Sequence, residues 1–551
     1  MPEYYKLGNH TLKISTSSSK AQLWFDRGLL QCYGFNHEEA INCFKHALKS
    51  DPKCAMAYWG IAYALGPNYN KDWDAFDEAE FKIALASAYE NTRKAISLID
   101  SVSDLEQALI RSLEHRYPKG ESNGNTKKWV NQYASEMRKI YAQFPEDPDV
   151  STLVAEALMN PTPWDLWNLK TGEIADGANT AEVILILEKA LRRIDGTNRE
   201  KHPGLLHMYI HLMEMSPYPE RALKAADQLR NLVPDAGHLQ HMPSHIDVLC
   251  GHYQMVVDSN EAAIVADRKF LEREGPLNFY SLYRCHNYHF KIYGAMFLGQ
   301  YHTAIRTSNE MISTLPSELL KVQSPPMADW LEGFISIKQH VLIRFGRWEE
   351  IIAQQLPEDQ ELFCVTTAMM HYSKAVANAS IGEIKSANNE AVFFNNAVLK
   401  VPESRYIFNN TCLDILEVAR EMMLGEIEYR IGNFDTAFLH LRKSVYLDDN
   451  LPYDEPWAWM QPTRHALGAL LLEQNKVEEA IKVYRADLGY NETLSRACQH
   501  PDNIWSLHGY HECLVRLGKL AEAEIVEQRL KLANARTDIP VTASCFCRMD
   551  G

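Results

Sequence analysis

Along most of the chain apolar residues recur at every third or fourth position, the spacing of one buried face on an α-helix. These stretches come in pairs joined by a short turn, and the pairs repeat. Examples are YGFNHEEAINCFKHALKSDP (33–52), LGQYHTAIRTSNEMISTLP (298–316), FGRWEEIIAQQLP (345–357), IGNFDTAFLHLRKSV (431–445), EQNKVEEAIKVYRADL (473–488) and LGKLAEAEIVEQRL (517–530). Each phrase sets Gly or Asn at the tight turn, where a positive φ is cheap, then Ala where two helices must approach, then a helix stop. A recurrence near 34 residues is the signature of tetratricopeptide repeats. The pattern predicts an all-α fold, a tetratricopeptide-like α–α superhelix (a solenoid) with irregular loop insertions. It predicts one continuous array, curved enough to enclose a concave cavity. Strand patterning is nearly absent, and VTA near the C-terminus is the only candidate.

The breaks in the periodicity divide the chain. Residues 1–20 read as an N-terminal extension, 21–200 as N-terminal repeats and 201–316 as a histidine-rich central block. Residues 317–536 read as C-terminal repeats and 537–551 as a tail carrying Cys-x-Cys. A polar loop is expected at 116–127 and a structured non-helical insertion at 160–180 (NPTPWDLWNLKTGEIADGANT), with further breaks at 323–329 and 448–459. Long ordered loops in a helical array are where ligands are usually held.

Composition changes the picture by exclusion. Hydrophobic residues at 46% and charged residues at 23% are ordinary for a folded protein. The formal net charge is −16, from 72 acidic and 56 basic side chains, a balance that disfavours nucleic acid and anionic lipid as partners. No apolar stretch is long enough to span a membrane, and MPEYYKLGNHTLKIS lacks the form of a secretory signal. Most of the 11 cysteines are scattered singly in helical patterns, as suits reduced thiols in a cytoplasmic protein. Cys545 and Cys547 form the one close pair; a loose tail is the simpler reading, a flap capping a metal site the alternative.

Candidate chemistry lies in the histidines. Of 21, ten fall between residues 202 and 302, where an even spread gives roughly four. His207 and His211 are one helical turn apart, with Glu214 on the same face. His241 and His245 repeat that spacing around Pro243, with His238 a turn earlier. His286 and His289 are three apart. Paired imidazoles on neighbouring helices, with one carboxylate, are a known way of building a metal site in a helical core. These spacings point to a divalent transition metal (Fe, Cu or Zn) held among His207, His211, His241, His245, His286 and His289, with Glu214, His238 and Arg464 as catalytic groups. The competing reading is a set of hydrogen-bonded core histidines without metal. His202, His252 and His302, and His37 and His46 in the first repeat, read as caps or surface residues.

Trp164 and Trp167 in PTPWDLWN, Trp457 in EPWAWMQPTRHALG, His371 in AMMHYSKA and His508 in DNIWSLHGYHE are candidates for the wall of a substrate cavity. Arg464 could pair with an anionic ligand or with a neighbouring acid such as Glu455. No HExxH motif, phosphate-binding glycine loop, nucleophile elbow or kinase signature is present.

YGFNHEEAINCFKHAL with CAMAYWGIAYALGPNYN, PWDLW, HPGLLHMYIHLMEMSPYPERA, PDAGHLQHMPSHIDVLCGHY, CHNYHF, RFGRWEEI and the EPW segment resemble a family of tetratricopeptide-repeat proteins. Its members are about this length and occur in bacteria and fungi. A looser likeness extends to the tetratricopeptide repeat protein 38 family. The resemblance implies the fold over residues 20 to about 530 and places His207, His211, His238, His241, His245, His286 and His289 in its most specific phrases. It carries no single activity with it.

Two functions are therefore expected. One is a metal-dependent oxidoreductase or oxygenase-like enzyme acting on a small hydrophobic or aromatic substrate in the concave cavity. The other is a repeat scaffold that binds a peptide or partner protein in that groove without catalysis.

Overall fold

A computed structural model gives the structure of the chain, describing residues 4–122, 124, 126–195, 201–491 and 493–548. The fold is all-α: antiparallel helix pairs follow one another from Ser19–Tyr33 to Leu520–Asn534. Among the described residues the only strands are Tyr406–Ile407 and Asn410–Thr411, a two-stranded hairpin. The VTA segment at 541–543 forms no strand, which corrects the sequence expectation. Part of the polar loop expected at 116–127 (residues 123 and 125), residues 196–200 of the first repeat block and residues 549–551 of the tail lie outside the described residues.

The chain divides into two compact units, Met1–Ile246 with Ala262–Arg273, and Asp247–Glu261 with Glu274–Gly551. The stretch 201–316 is thus shared between them, with His207 to His245 in the first and His286 and His289 in the second.

Within each unit one device recurs. The Phe44 ring of helix His37–Ser50 lies where a Cβ on Gly28 or Gly60 would come within 2.5 or 2.6 Å of it, so both flanking helices need glycine for the ring to fit. In the second unit the Tyr484 ring takes the same place between Gly468 and Gly509. An aromatic wedged between small residues lets three consecutive helices close on a single side chain, and burying such a ring contributes roughly 2–3 kcal/mol.

The turns inside the pairs follow the expected chemistry, with one exception. Gly299, Gly346, Gly432 and Gly518 have φ between 60° and 92°, and Asn475 has φ 55°. The residue after each donates its N–H to a carbonyl five residues back, as Lys519 does to Leu514 at 2.9 Å. In the first pair the same bond runs from Asn36 to Gln31, also at 2.9 Å. There Gly34 has φ −97°, and the left-handed position falls on Phe35, at φ 53°. A bulky side chain in that conformation costs about 1–2 kcal/mol relative to glycine.

The tail is not loose. Val541, Ala543, Ser544 and Cys547 are buried. Ser544 Oγ and Tyr484 Oη hydrogen-bond at 2.5 Å, Arg548 pairs with Glu512, and Cys545 is disulfide-bonded to Cys547. These contacts lie within the second unit and displace the reading of a loose tail.

Candidate metal centre

The centre of the first unit is the helix Pro203–Glu214. Proline at its first position is pre-set for helix, and the side chain of His202 caps it, Nδ1 accepting the Leu205 N–H at 3.1 Å. Apolar residues occur all round (Leu205, Leu206, Met208, Ile210, Leu212), so the helix is buried on every side. The insertion at 160–180 closes over it: Trp167 Nε1 donates to the Leu212 carbonyl at 2.7 Å. Helical spacing then puts His207, His211 and Glu214 on one face.

Two further turns of helix face that stripe. Gly237–His241 carries His238 and His241, and Pro243 starts the next helix, which carries His245. His207 Nε2 lies 3.1 Å from His238 Nε2. One ligand atom each from His207, His211 and His238 lies within 4.8 Å of the others. His211 Nδ1 is 2.9 Å from Glu214 Oε1, and His245 Nδ1 is 2.7 Å from Glu214 Oε2. A single carboxylate therefore receives the Nδ1–H of two histidines, fixing both rings with Nε2 as the bare lone pair. His211 Nε2 is buried and has no hydrogen-bond partner. His245 Nε2 meets His241 Nε2 at 2.7 Å, and Ser244 Oγ is 3.4 Å from His241 Nδ1.

Burial lowers His207 to about 3, against an opposing contribution from the Tyr33 backbone, and holds His211 well below its ordinary value with help from His207 and His241. Both rings are neutral at physiological pH, the form that binds metal. Metal–nitrogen bonds of roughly 2.0–2.1 Å put adjacent ligand atoms roughly 2.9–3.4 Å apart. The His207–His238 pair already has that span, and His211 reaches it with at most about 1.5 Å of side-chain movement. Three imidazoles suit iron, copper or zinc and leave coordination positions open.

Aromatic rings enclose these imidazoles. The Phe35 ring lies 4.7 Å from His207, 5.2 Å from His238 and 5.8 Å from His211. Tyr69 lies 4.9 Å from His211, and Trp164 lies 5.1 Å from Tyr69. Phe35 and Trp164 are both in the left-handed region, at φ 53° and 59°. Phe35 and Tyr69 were not singled out in the sequence. The one signal for Phe35 is its register: it occupies the turn position that the other repeats give to Gly or Asn.

The remaining candidates have other surroundings. His238, expected as a catalytic group, stands among the would-be ligands. Trp167 is pinned to a backbone carbonyl and plugs the insertion. In the second unit, His289 Nε2 contacts Met460 Sδ at 2.7 Å and burial lowers its pKa to about 3; His286 lies 4.7 Å from the Phe408 ring. Arg464 forms a two-pronged ion pair with Asp449, so its guanidinium is committed to this acid rather than to Glu455 or a ligand anion. Trp457 Nε1 donates to Asp448. His371 pairs with Glu390 at 2.7 Å and, with Cys364 and Phe393, lines a cleft of 140 Å³. His508 is partly buried, which lowers its pKa. His252 stays partly exposed.

Sequence reasoning also left His202 as a cap or surface residue. It is a cap, but a buried one: its Nε2 and that of His10 lie 3.0 and 2.9 Å from Asp149 Oδ1, and Tyr33 Oη donates to the same oxygen at 2.6 Å. Burial raises the Asp149 carboxyl, but His202 and His10 outweigh it and leave it strongly lowered. No local motif joins residues 10, 149 and 202.

Residues 21–54 match the family model described as tetratricopeptide repeat, a span of one repeat that covers the first helix pair. No curated protein matches the chain. Among solved structures, the chain is similar to the APC/C hetero-tetramer Cut9–Hcn1 (14% identity, 87% of this chain and 74% of that one, TM-score 0.31). It is likewise similar to the human IFIT1 dimer with PPP-AAAA (12% identity, 92% and 89%, TM-score 0.31). A third is Naa15/Naa10 bound to HypK-THB (13% identity, 94% and 70%, TM-score 0.22). Likeness at this level carries nothing about ligands or partners. Among the described residues no helix is long and apolar enough to cross a membrane. The chain is an all-α protein of tetratricopeptide-like helix pairs, an architecture suited to binding, with a recognisable repeat at residues 21–54.

Proposed function

We propose that the first unit holds a transition-metal ion on His207, His211 and His238, and that the chain is a metal-dependent enzyme of oxidoreductase type. The observation that supports this most is the His211 ring: its Nδ1 is engaged by Glu214, its Nε2 is buried without a hydrogen-bond partner, and one of its ligand atoms lies within 4.8 Å of one each from His207 and His238. A buried acceptor without a partner costs about 1–3 kcal/mol, a cost that an ion on that nitrogen would relieve. Three imidazoles without a thiolate describe an open site rather than a closed structural one, and all-nitrogen ligation accommodates redox-active iron or copper. Phe35, Tyr69 and Trp164 give the site an aromatic flank, which favours a small apolar or aromatic substrate. The scaffold reading keeps the fold and discards the ion.

The test is reconstitution of protein bearing no histidine tag with Fe(II), Cu(II) and Zn(II), followed by desalting and elemental analysis. Wild type should retain metal stoichiometrically, and the double variant H207A/H211A should lose the ion that these histidines hold while keeping its helical signal. Wild type that retains none of these metals would leave the scaffold.

A further inference from the structure

Resting on that reading, we infer that the centre is dinuclear: His241 and His245 hold a second ion beside the first, and Glu214 is the shared bracket that orients both. The His241 and His245 rings are 0% and 1% exposed, and their Nε2 atoms lie 2.7 Å apart. That is a hydrogen-bonding distance a few tenths of an ångström short of the span of two adjacent ligands on one ion. The protonation pattern is set by neighbours. His245 gives its Nδ1–H to Glu214 Oε2, so its Nε2 carries the lone pair, and the proton between the rings belongs to His241 Nε2.

A cation can take that proton's place between the rings once the proton shifts to the far nitrogen of His241, and its charge is then set against the Glu214 carboxylate that holds His245. The His241 proton moves from Nε2 to Nδ1, where Ser244 Oγ lies 3.4 Å away. The Ser244 hydroxyl donates its own hydrogen to the His241 carbonyl at 2.7 Å, which leaves its oxygen as the side turned to that ring. Both imidazoles then offer Nε2 lone pairs, and no proton needs to leave the protein.

Glu214 makes the two sites one device. Its Oε1 holds His211, a ligand of the first ion, and its Oε2 holds His245, a ligand of the second. The His211 and His245 rings meet edge to face at 5.7 Å. A carboxylate that only braced one histidine would not be spaced to brace a second one belonging to a different pair. Two ions joined in this way suit chemistry that spreads two electrons, or the two ends of a small oxygen ligand, over a pair of metals.

The experiment is metal stoichiometry of the full, untagged chain titrated with Cu(II) and separately with Zn(II), read by elemental analysis after desalting. The inference expects two ions per chain, one per chain in H241Q/H245Q and one per chain in H207Q/H238Q. It also expects E214Q to weaken both ions together, by roughly 10–100-fold. Wild type needs no variant to fold, so its count alone is informative. One ion per wild-type chain, lost in H207Q/H238Q, would overturn the second site and leave the proposed function standing. Two ions per chain with no loss in folded H241Q/H245Q would also overturn it. No retained metal would overturn both.

Discussion

Each unit buries a cluster of histidines around one carboxylate, and the two clusters are finished differently. In the second unit Asp487 accepts from His465 at 2.9 Å, His500 at 2.8 Å, Ser506 at 2.6 Å and Asn503 at 2.9 Å. The far nitrogens are satisfied as well: Arg344 donates to His465 Nδ1 at 2.9 Å, and Tyr293 Oη lies 3.2 Å from His500 Nε2. That network is closed, with both ring nitrogens of each histidine engaged. In the first unit Glu214 braces two histidines, but His211 Nε2 is left without a partner. The contrast is between a cluster whose ring nitrogens are all engaged and one that keeps an open nitrogen beside two further imidazoles.

Acid gives the largest test of that contrast. Burial lowers His207, His289 and His340 to about 3 and His37 and His465 to about 4, whereas the unfolded chain has histidines near 6.5. Each folded value lies below its unfolded one, so the unfolded state takes up protons first. The stability from keeping these rings neutral is complete above about pH 6.5 and is lost as pH falls towards 4 and 3. At pH 4.5 each ring costs on the order of 2–3 kcal/mol. This is offset in part by Glu156, Glu455 and Asp448, whose carboxyls are raised by burial to about 8, 8 and 7 and gain stability as pH falls; the five rings outweigh the three carboxyls. Thermal melts of metal-free protein should collapse between about pH 6 and 4.5. Metal-loaded protein should start from a higher melting temperature at pH 7 and fall more steeply, as protons displace the ion.

Next comes Asp487→Ala, which strands two buried imidazoles and a guanidinium. Denaturant unfolding should show a loss of about 3–5 kcal/mol, with metal content per folded chain unchanged. Glu214→Gln should do the reverse, lowering metal affinity roughly 10–100-fold by competition with a chelator while costing less in metal-free stability. The smallest effect is expected at Phe35. Phe35→Gly relieves about 1–2 kcal/mol of left-handed strain but gives up about 3–5 kcal/mol of buried ring. The net loss of about 2 kcal/mol should appear in the metal-free melt. A gain in stability would show that Phe35 is strained without being packed.

The sequence made the helices legible because a period near 34 and a buried face are local properties. It made half of the candidate centre legible for the same reason: 207, 211 and 214 share a helix face by spacing alone. It set His238 among the catalytic groups, because nothing local says that this ring meets His207 across 31 residues. Phe35 was hidden by a rule that holds in the other repeats, where glycine or asparagine takes the turn. The tail was misread because polar, cysteine-bearing ends usually fray, whereas this one has a Ser544–Tyr484 bond and a buried Cys547 to hold it. The Asp487 network joins residues from 293 to 506, and the His10–Asp149–His202 cluster joins three distant segments; neither leaves a motif.

The proposed function requires one ion bound through nitrogen by His207, His211 and His238. X-ray absorption at the metal edge of reconstituted protein tests it most directly. The expected first shell is nitrogen or oxygen only, at roughly 2.0–2.1 Å, with the outer-shell scattering of imidazole rings, reduced in His211→Ala. A sulfur shell near 2.3 Å, or a signal without imidazole scattering, would contradict it.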